Sequence, residues 1–516
     1  MEIWQQIEIL RKSNKTWCFP KDRTEEKISA LSIIANKGYP SLICSLVEFL
    51  KDDHKEIRES TCRTIIGLFH RINGKRAYYD TLKPCSISKR DIDFYEANFS
   101  REQYVELLGI SSLNGNGYIR EKAVKKLAEV DCVRAIPFLI YRLADWVQPI
   151  RQSAENGIKN YKTTSYIDSI VENLPIFEWL QEVEHTDLRR IYQDYMEFVA
   201  THNREYVIEN FKKYRDKVRI LLAKQVSGSL RNGNQELQLL LTDKHCLIRS
   251  LALVHFERLA ETDIESLLKD KSAKIRLGTL HCMKGDIGFK AVAKKFIADT
   301  SGTIRQYARF TLKEFNIDFA KFYNDNLLEN KQVIGSLSGL SETEGGQYSD
   351  TVKSYLQDNR IRVRKTAFVT LSKLDQDSAY NFAIANLDSR YIGLRNVIIE
   401  FLSHMPVHKS LLKARSIYKS GNTDLKKSML NFFSKVGGWA AISDLMFATI
   451  DDDEIIRQLA VSYLELWRTR AVRLFTSPKP LEIERAREIF AFVNIVHKEK
   501  RYFETIPVTG LDFYFR

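Results

Sequence analysis

A chain of 516 residues with 44% apolar residues, 28% charged residues and a net charge of +13 has the balance of an ordinary folded protein, which excludes long disorder as its default state. No run of about 18 apolar residues interrupts it, so no membrane-spanning helix is expected. The opening MEIWQQIEILRKSNK carries charges through its apolar positions and lacks the apolar core of a signal peptide, which predicts a cytoplasmic location.

Residues 1–27 read as a capping helix and a loop in which Trp17, Phe19 and Pro20 close the first repeat. Residues 28–72 hold the first helical hairpin, SLICSLVEFL followed by IRESTCRTIIGLF. Residues 73–99 are an insertion that mixes Lys75, Arg76, Lys89 and Arg90 with Tyr78 and Tyr79. A basic and aromatic loop can bind nucleic acid by charge and stacking. Packing back on its own scaffold is the preferred reading, because repeat insertions are commonly surface loops. Ser100 and Gln103 then spell a capping box for the next helix.

From 100 to 335 one unit recurs, clearest in AIPFLIYRLADWVQPIRQSAENGI at 135–158. An apolar-basic dipeptide stands at Ile57-Arg58, Ile119-Arg120, Ile150-Arg151, Leu188-Arg189, Val218-Arg219, Ile248-Arg249, Ile275-Arg276 and Ile304-Arg305, and again at Val363-Arg364, Leu394-Arg395, Leu425-Lys426 and Ile456-Arg457. The period is about 30 residues, the range of helical solenoids. An Asp stands six before the basic residue at 52, 145, 243, 270, 299, 358 and 451, with Asn114 as a substitute, and an Ala three after it at 123, 154, 252, 308, 367 and 460. The Asp can accept from the unpaired N–H groups opening the second helix, and the Arg can reach a turn carboxylate of its own or the adjacent repeat. Ala at its fixed place lets neighbouring helices approach closely.

The phase slips near YIDSIVENLPIFEWLQEVEHTD, where Pro175 predicts a bent or extended connection. The gap from Arg305 to Arg364 holds a degenerate repeat with Val333 and Ile334 in the dipeptide's place, followed by SETEGGQ, the best candidate for a flexible break. Residues 336–475 are the most regular repeats and the most basic. Residues 476–516 hold a last amphipathic helix and a tail in which Leu511, Phe513 and Phe515 alternate with Asp512, Tyr514 and Arg516, the period of an extended strand. A cap on the final helix is preferred for it over a strand offered to a partner sheet.

This pattern resembles HEAT repeats, particularly the short HEAT-like class also found in phycobilin lyases, and the resemblance covers about residues 28–470. It implies an all-α fold, a right-handed α-solenoid of about 13 helical hairpins with a short extended C-terminal tail. For function it implies little, since the class serves scaffolds, transport receptors, nucleic-acid binders and a few enzymes.

Seven scattered cysteines without a CxxC pair indicate neither a disulfide framework nor a zinc site. His245-Cys246 and His281-Cys282 sit at different phases of their repeats, so no metal and no cofactor is expected. Residues 353–440 hold fifteen Lys and Arg against six Asp and Glu. There Arg360, Arg362, Lys365, Lys409, Lys413, Arg415, Lys419, Lys426 and Lys427 are the candidates for binding an acidic partner or nucleic acid, against a reading in which they are ladder residues and a solvated face. No Gly-rich phosphate loop, HExxH or GxSxG is present. The resemblance extends to DNA glycosylases and nominates Asp145, Trp146 and Trp179, but the repeat itself explains Asp145. The expected function is a non-catalytic scaffold or adaptor that binds a protein along its curved surface, the alternative a nucleic-acid-binding solenoid.

Overall fold

A computed structural model describes residues 2–12, 22–230, 233–471 and 476–515. It contains 32 α-helices and several short 3-10 turns, with no strand among the described residues. The chain divides into two compact units, Met1–Leu267 and Leu268–Arg516, each an all-α stack of helical hairpins. No described helix is long and apolar enough to cross a membrane. The proposed cap of Trp17, Phe19 and Pro20 lies outside the described residues.

Within a unit, hairpins stack second helix on second helix, as Gly117–Glu129 does on Gln148–Lys159 in the N-terminal unit. In the C-terminal unit, Ile361–Leu374, Ile392–Ser403, Thr423–Val436 and Glu454–Ala471 stack in this way. The small residue three beyond the Arg is what allows it: Ala123, Ala154, Ala252, Ala308, Ala367 and Ala460 are all fully buried. Larger side chains there would push apart helices that sit about 8–10 Å from each other.

The Asp and Arg of the pattern form a ladder. Arg151 Nη1 donates to the Asp145 carbonyl at 2.7 Å, six residues back, and the same bond recurs from Arg58 to Asp52, Arg249 to Asp243, Arg276 to Asp270, Arg305 to Asp299 and Arg457 to Asp451. The guanidinium fork then reaches the Asp of the following repeat. Arg120 reaches Asp145 at 2.9 and 3.2 Å, Arg219 reaches Asp243 at 3.0 and 3.2 Å, and Arg276 reaches Asp299 at 2.9 and 2.6 Å. Each Asp carboxylate also accepts the backbone N–H two residues on, as from Val147, His245, Ser272 and Ser301. The carboxylate therefore fixes its own turn and the neighbouring repeat at once.

Four details depart from the sequence reading. The Leu188-Arg189 dipeptide makes no rung: Arg189 is exposed, and the buried pair of that region is Arg204 with Glu236, both fork contacts at 2.8 Å. The connection at Pro175 is a break between two short helices and not an extended segment: Ile167–Glu172 ends and Pro175 stands in the first turn of Leu174–Trp179, where a missing N–H costs nothing. In SETEGGQ, Glu342 accepts from both Arg305 and Arg309, which ties the segment to the repeat before it. The C-terminal tail is a 3-10 turn, Leu511–Phe515, not a strand. Leu511 and Phe515, four apart, are buried while Phe513 is 70% exposed, so the alternation was a helical spacing sampled too briefly to tell apart.

Two cysteines correct the expectation of scattered thiols. Cys44 and Cys85 are disulfide-bonded, with Cα atoms 4.4 Å apart and 41 residues between them in sequence. No spacing motif announces such a pair; it forms because the helix Lys75–Leu82 folds back over Ile43–Leu46.

Candidate functional site

The nine basic candidates of 353–440 separate into framework and free charge. Arg415 is bound to Asp444 by Nε at 2.8 Å and Nη2 at 2.8 Å, and donates to the Ala440 carbonyl at 3.2 Å. Lys426 is a ladder residue, 3.0 and 2.9 Å from the Asp451 carboxylate. Arg360 folds onto Asp358 at 3.0 and 2.9 Å, and Lys413 lies 3.8 Å from Asp388. Arg362, Lys365, Lys409, Lys419 and Lys427 make no ion pair among the described residues, and the first four of these are exposed.

These five do not converge on one point. Lys409 lies in the first turn of Val407–Ser420 and Lys419 in its last, ten residues apart and so about 15 Å along the helix. Lys419 lies near the end of Val407–Ser420 and Lys427 near the start of Thr423–Val436, on either side of the short turn between the two helices. Arg362 and Lys365 occupy the corresponding place on Ile361–Leu374. The free charge thus lies on the ladder edge of the C-terminal unit, with Lys409 at the other edge.

On that edge the ladder is broken. The residue six before Arg395 is Ser389 and the residue six before Lys426 is Ser420, where intact rungs have Asp. Ser389 keeps two of the roles of Asp: its carbonyl accepts from Arg395 at 2.8 Å and its hydroxyl from the Tyr391 N–H at 3.4 Å. It cannot supply the carboxylate for Arg364, 25 residues earlier, which instead lies over the Tyr391 ring at 4.8 Å, its buried Nε without a hydrogen bond among the described residues. Arg390 covers the same ring at 4.7 Å. Arg395 is 3% exposed and among the described residues has the Ser428 hydroxyl, at 2.9 Å, where Arg120, Arg219 and Arg276 have a carboxylate. Burial pushes the Arg395 guanidinium below its ordinary value, opposed only by the charge of Asp424.

One repeat pair earlier, where Ile334 stands in the place of a ladder Arg, the space is open. A groove of about 760 Å³ is lined by Lys271, Arg360 and Arg362 beside Asp270 and Asp299. Gly335 sits in its wall so close to the Ala298 carbonyl, 1.8 Å from where a Cβ would be, that no other residue fits. Groove, broken rungs and free cations therefore lie on successive turns of one unit.

The insertion is part of the scaffold. It forms two helices, Lys75–Leu82 and Lys89–Asn98, the second opened by a capping box of Ser88 and Asp91, with Leu82, Ile92 and Tyr95 buried. Tyr78 packs on Phe69 at 5.2 Å and Tyr141 at 5.7 Å, Lys89 lies over Tyr118 at 5.2 Å, and Tyr79 and Arg90 are exposed. The side chains of Lys75 and Arg76 lie outside the described residues.

Asp145 is no candidate base. It is 3% exposed and receives Arg120, Arg142 at 2.9 Å and the Val147 amide. Burial alone would raise its carboxyl, but those hydrogen bonds and charges outweigh it and hold it below the usual carboxylate range. Trp146 stacks on His185 at 4.0 Å, and Trp179 packs at a tilt against Tyr141 at 5.6 Å. His245 caps its own helix by accepting from the Leu247 N–H, and His281 packs edge-on against Tyr307. Among the described residues no three His, Cys, Asp or Glu side chains are grouped to hold a metal ion.

The architecture is a stack of α-helical hairpins joined by a repeating side-chain ladder. No family model matches the sequence, and no curated protein matches it. Among solved structures it is similar to a mutant of Kap121p (13% identity, TM-score 0.36, covering 100% of this chain and 66% of that one). It is also similar to a C-terminal fragment of the Chaetomium thermophilum cohesin loader SCC2 (12%, TM-score 0.32, 92% of this chain and 41% of that one) and to a homology model of the AP-3 complex (12%, TM-score 0.22, 95% and 98%). The chain spans just under two thirds of the length of the Kap121p structures it matches. At these TM-scores the likeness carries no functional argument, and the fold rests on the ladder of this chain.

Proposed function

We propose that the chain is a non-catalytic scaffold that binds a protein partner through the ladder edge of its C-terminal unit, the partner presenting an acidic segment. The observation that carries this is the break in the ladder. Asp is replaced by Ser at 389 and 420, so Arg364 and Arg395 lack the carboxylate that Arg120, Arg219 and Arg276 have, and an incoming carboxylate can take that place. Arg362, Lys365, Lys419 and Lys427 on the same edge add long-range attraction, which steers an acidic partner.

Nucleic acid is the competing ligand, and two features favour protein over it. Four of the nine candidate cations already have carboxylate partners, and the edge aromatic Tyr391 already carries two guanidinium groups, those of Arg364 and Arg390, over its ring.

Fluorescence anisotropy with a labelled 20-residue Asp/Glu-rich peptide and with single- and double-stranded 20-nucleotide DNA, at about 50 and 200 mM salt, separates the two. The peptide is expected to bind more tightly, and the Arg362→Glu, Lys365→Glu, Lys419→Glu, Lys427→Glu chain to lose it by at least about ten-fold with an unchanged melting temperature. DNA binding with a steep salt dependence and no peptide binding would replace the protein reading by the nucleic-acid one.

A further inference from the structure

The N-terminal unit holds a pocket of opposite character. About 490 Å³ in volume, it is walled by Phe69, Tyr78, Phe138 and Tyr141 and carries Glu106, Asp168 and Glu172 in its lining against a single guanidinium, Arg134. The rings are continuous: Phe138 meets Phe69 at 5.8 Å, Phe69 meets Tyr78 at 5.2 Å, Tyr78 meets Tyr141 at 5.7 Å and Tyr141 meets Trp179 at 5.6 Å. Tyr78 comes from the insertion, so the insertion's packing completes the wall. Phe138 reaches its place because position 109 is glycine, where a Cβ would stand 2.2 Å from the ring.

Glu106 differs from every ladder acid. It is 5% exposed, yet its nearest cations are Arg134 at 3.5 Å and His70 at 3.7 Å, longer than the 2.7–2.9 Å usual for a charged hydrogen bond. Burial pushes its carboxyl up, with His70 and Arg134 opposing. The hydroxyls of Tyr78 and Tyr141 make no hydrogen bond among the described residues. At the rim, Asp168 accepts from Tyr206 and Tyr214, both at 2.8 Å, and Glu172 from Arg215 at 2.8 Å, so these acids are held in place.

We propose that this pocket receives one basic side chain, lysine or arginine, of a partner polypeptide. Aromatic faces attract a cation and repel an anion. A carboxylate with slack partners at the pocket wall supplies the counter-charge, and two unbonded phenol oxygens can accept its N–H groups. Apolar Leu113, Val133, Pro137 and Ile176 around these groups suit the methylene stem of such a side chain and the chain that bears it. The excess of acids in a protein of net charge +13 makes the pocket a local exception that selects for positive charge.

The test uses the full chain and four blocked peptides, Gly-Gly-X-Gly-Gly with X as Lys, Arg, norleucine or Glu, followed by ligand-observed NMR. The Lys and Arg peptides are expected to bind at least about ten-fold more tightly than norleucine, the uncharged counterpart of Lys, and the Glu peptide not at all. In Glu106→Gln the preference for Lys over norleucine is expected to collapse. Equal binding of Lys and norleucine would reduce the site to an apolar cleft and overturn the proposal, as would preference for Glu or binding of none. Free n-butylammonium binding as tightly as the Lys peptide would overturn the polypeptide partner in favour of a small amine. The peptide series decides on the unaltered chain, should Glu106→Gln fail to fold.

Discussion

Replacing Asp145 by alanine is expected to destabilise the N-terminal unit by about 3–5 kcal/mol, the cost of removing one partner from a buried charged pair. The carboxylate serves Arg120, Arg142 and the Val147 amide together, and among the described residues neither guanidinium is paired with a second acid. Asp145→Asn keeps the shape and the turn acceptor, so a loss of similar size from it would assign the effect to charge and not to the turn. Asp358→Asn is the control: its partner Arg360 is more than half exposed, and the expected change is below about 1 kcal/mol. Urea unfolding of each variant measures all three. The same ladder dictates a pH dependence. Asp52, Asp145 and Asp451 are held below their ordinary value in the folded chain, since hydrogen bonds and neighbouring cations outweigh their burial. The stability they contribute is full above the unfolded aspartate value near 4 and is lost as pH falls through the lower folded values. Acid should therefore melt the stack from pH 4 downward, with Asp145→Asn showing a flatter profile.

Reduction of the Cys44–Cys85 disulfide is expected to lower the stability of the N-terminal unit by about 4 kcal/mol, the loop-closure entropy of a 41-residue loop. For a unit of this size that is a fall of roughly 10 °C in melting temperature. The bond fastens the helix Lys75–Leu82, whose Tyr78 walls the pocket, to the first hairpin. Reduction should consequently weaken binding of the Lys peptide as well as stability. Mass spectrometry of an unreduced digest should show the 44–85 cross-link, whereas seven alkylated cysteines in the untreated protein would remove the bond from the account.

Much of the fold was legible because a repeat states each of its rules many times. Ile150, Arg151 and Ala154 could be weighed against every other copy, and the buried face, the close helix approach and the ladder all followed. What a single copy carries was harder to read. The strand expected of Leu511 to Phe515 rested on three apolar residues, too few to distinguish a period of two from a turn that buries the first and the last. Cys44 and Cys85 are joined by the placing of an insertion, which no periodicity encodes. Arg189 matched the dipeptide but falls at the first residue of its helix, while Arg151 and Arg276 fall at the fourth of theirs, so its side chain points away from the ladder.

The candidate sites show the same contrast. The basic excess of 353–440 was visible as composition, but composition cannot say that Arg415 and Lys426 are paired with Asp444 and Asp451 while Lys419 and Lys427 are not. The break at Ser389 and Ser420 was present in the sequence and could have been found by asking where the Asp was missing instead of where it recurred. Glu106 carried no signal, because it lies in a helix whose neighbours are apolar and its meaning depends on Phe69, Phe138 and Tyr141 from other repeats.

Intact rungs are framework, and broken rungs are where we propose that the partner binds. Rebuilding the rungs tests both halves at once. In a Ser389→Asp, Ser420→Asp chain, Arg364 and Arg395 gain the carboxylates that the 25-residue register of Arg120 with Asp145 provides. Anisotropy with the labelled acidic peptide is then expected to show binding at least about ten-fold weaker than in the unaltered chain, in a protein that melts at the same temperature or higher. Unchanged peptide binding, or a rebuilt chain that melts well below the original, would contradict the account.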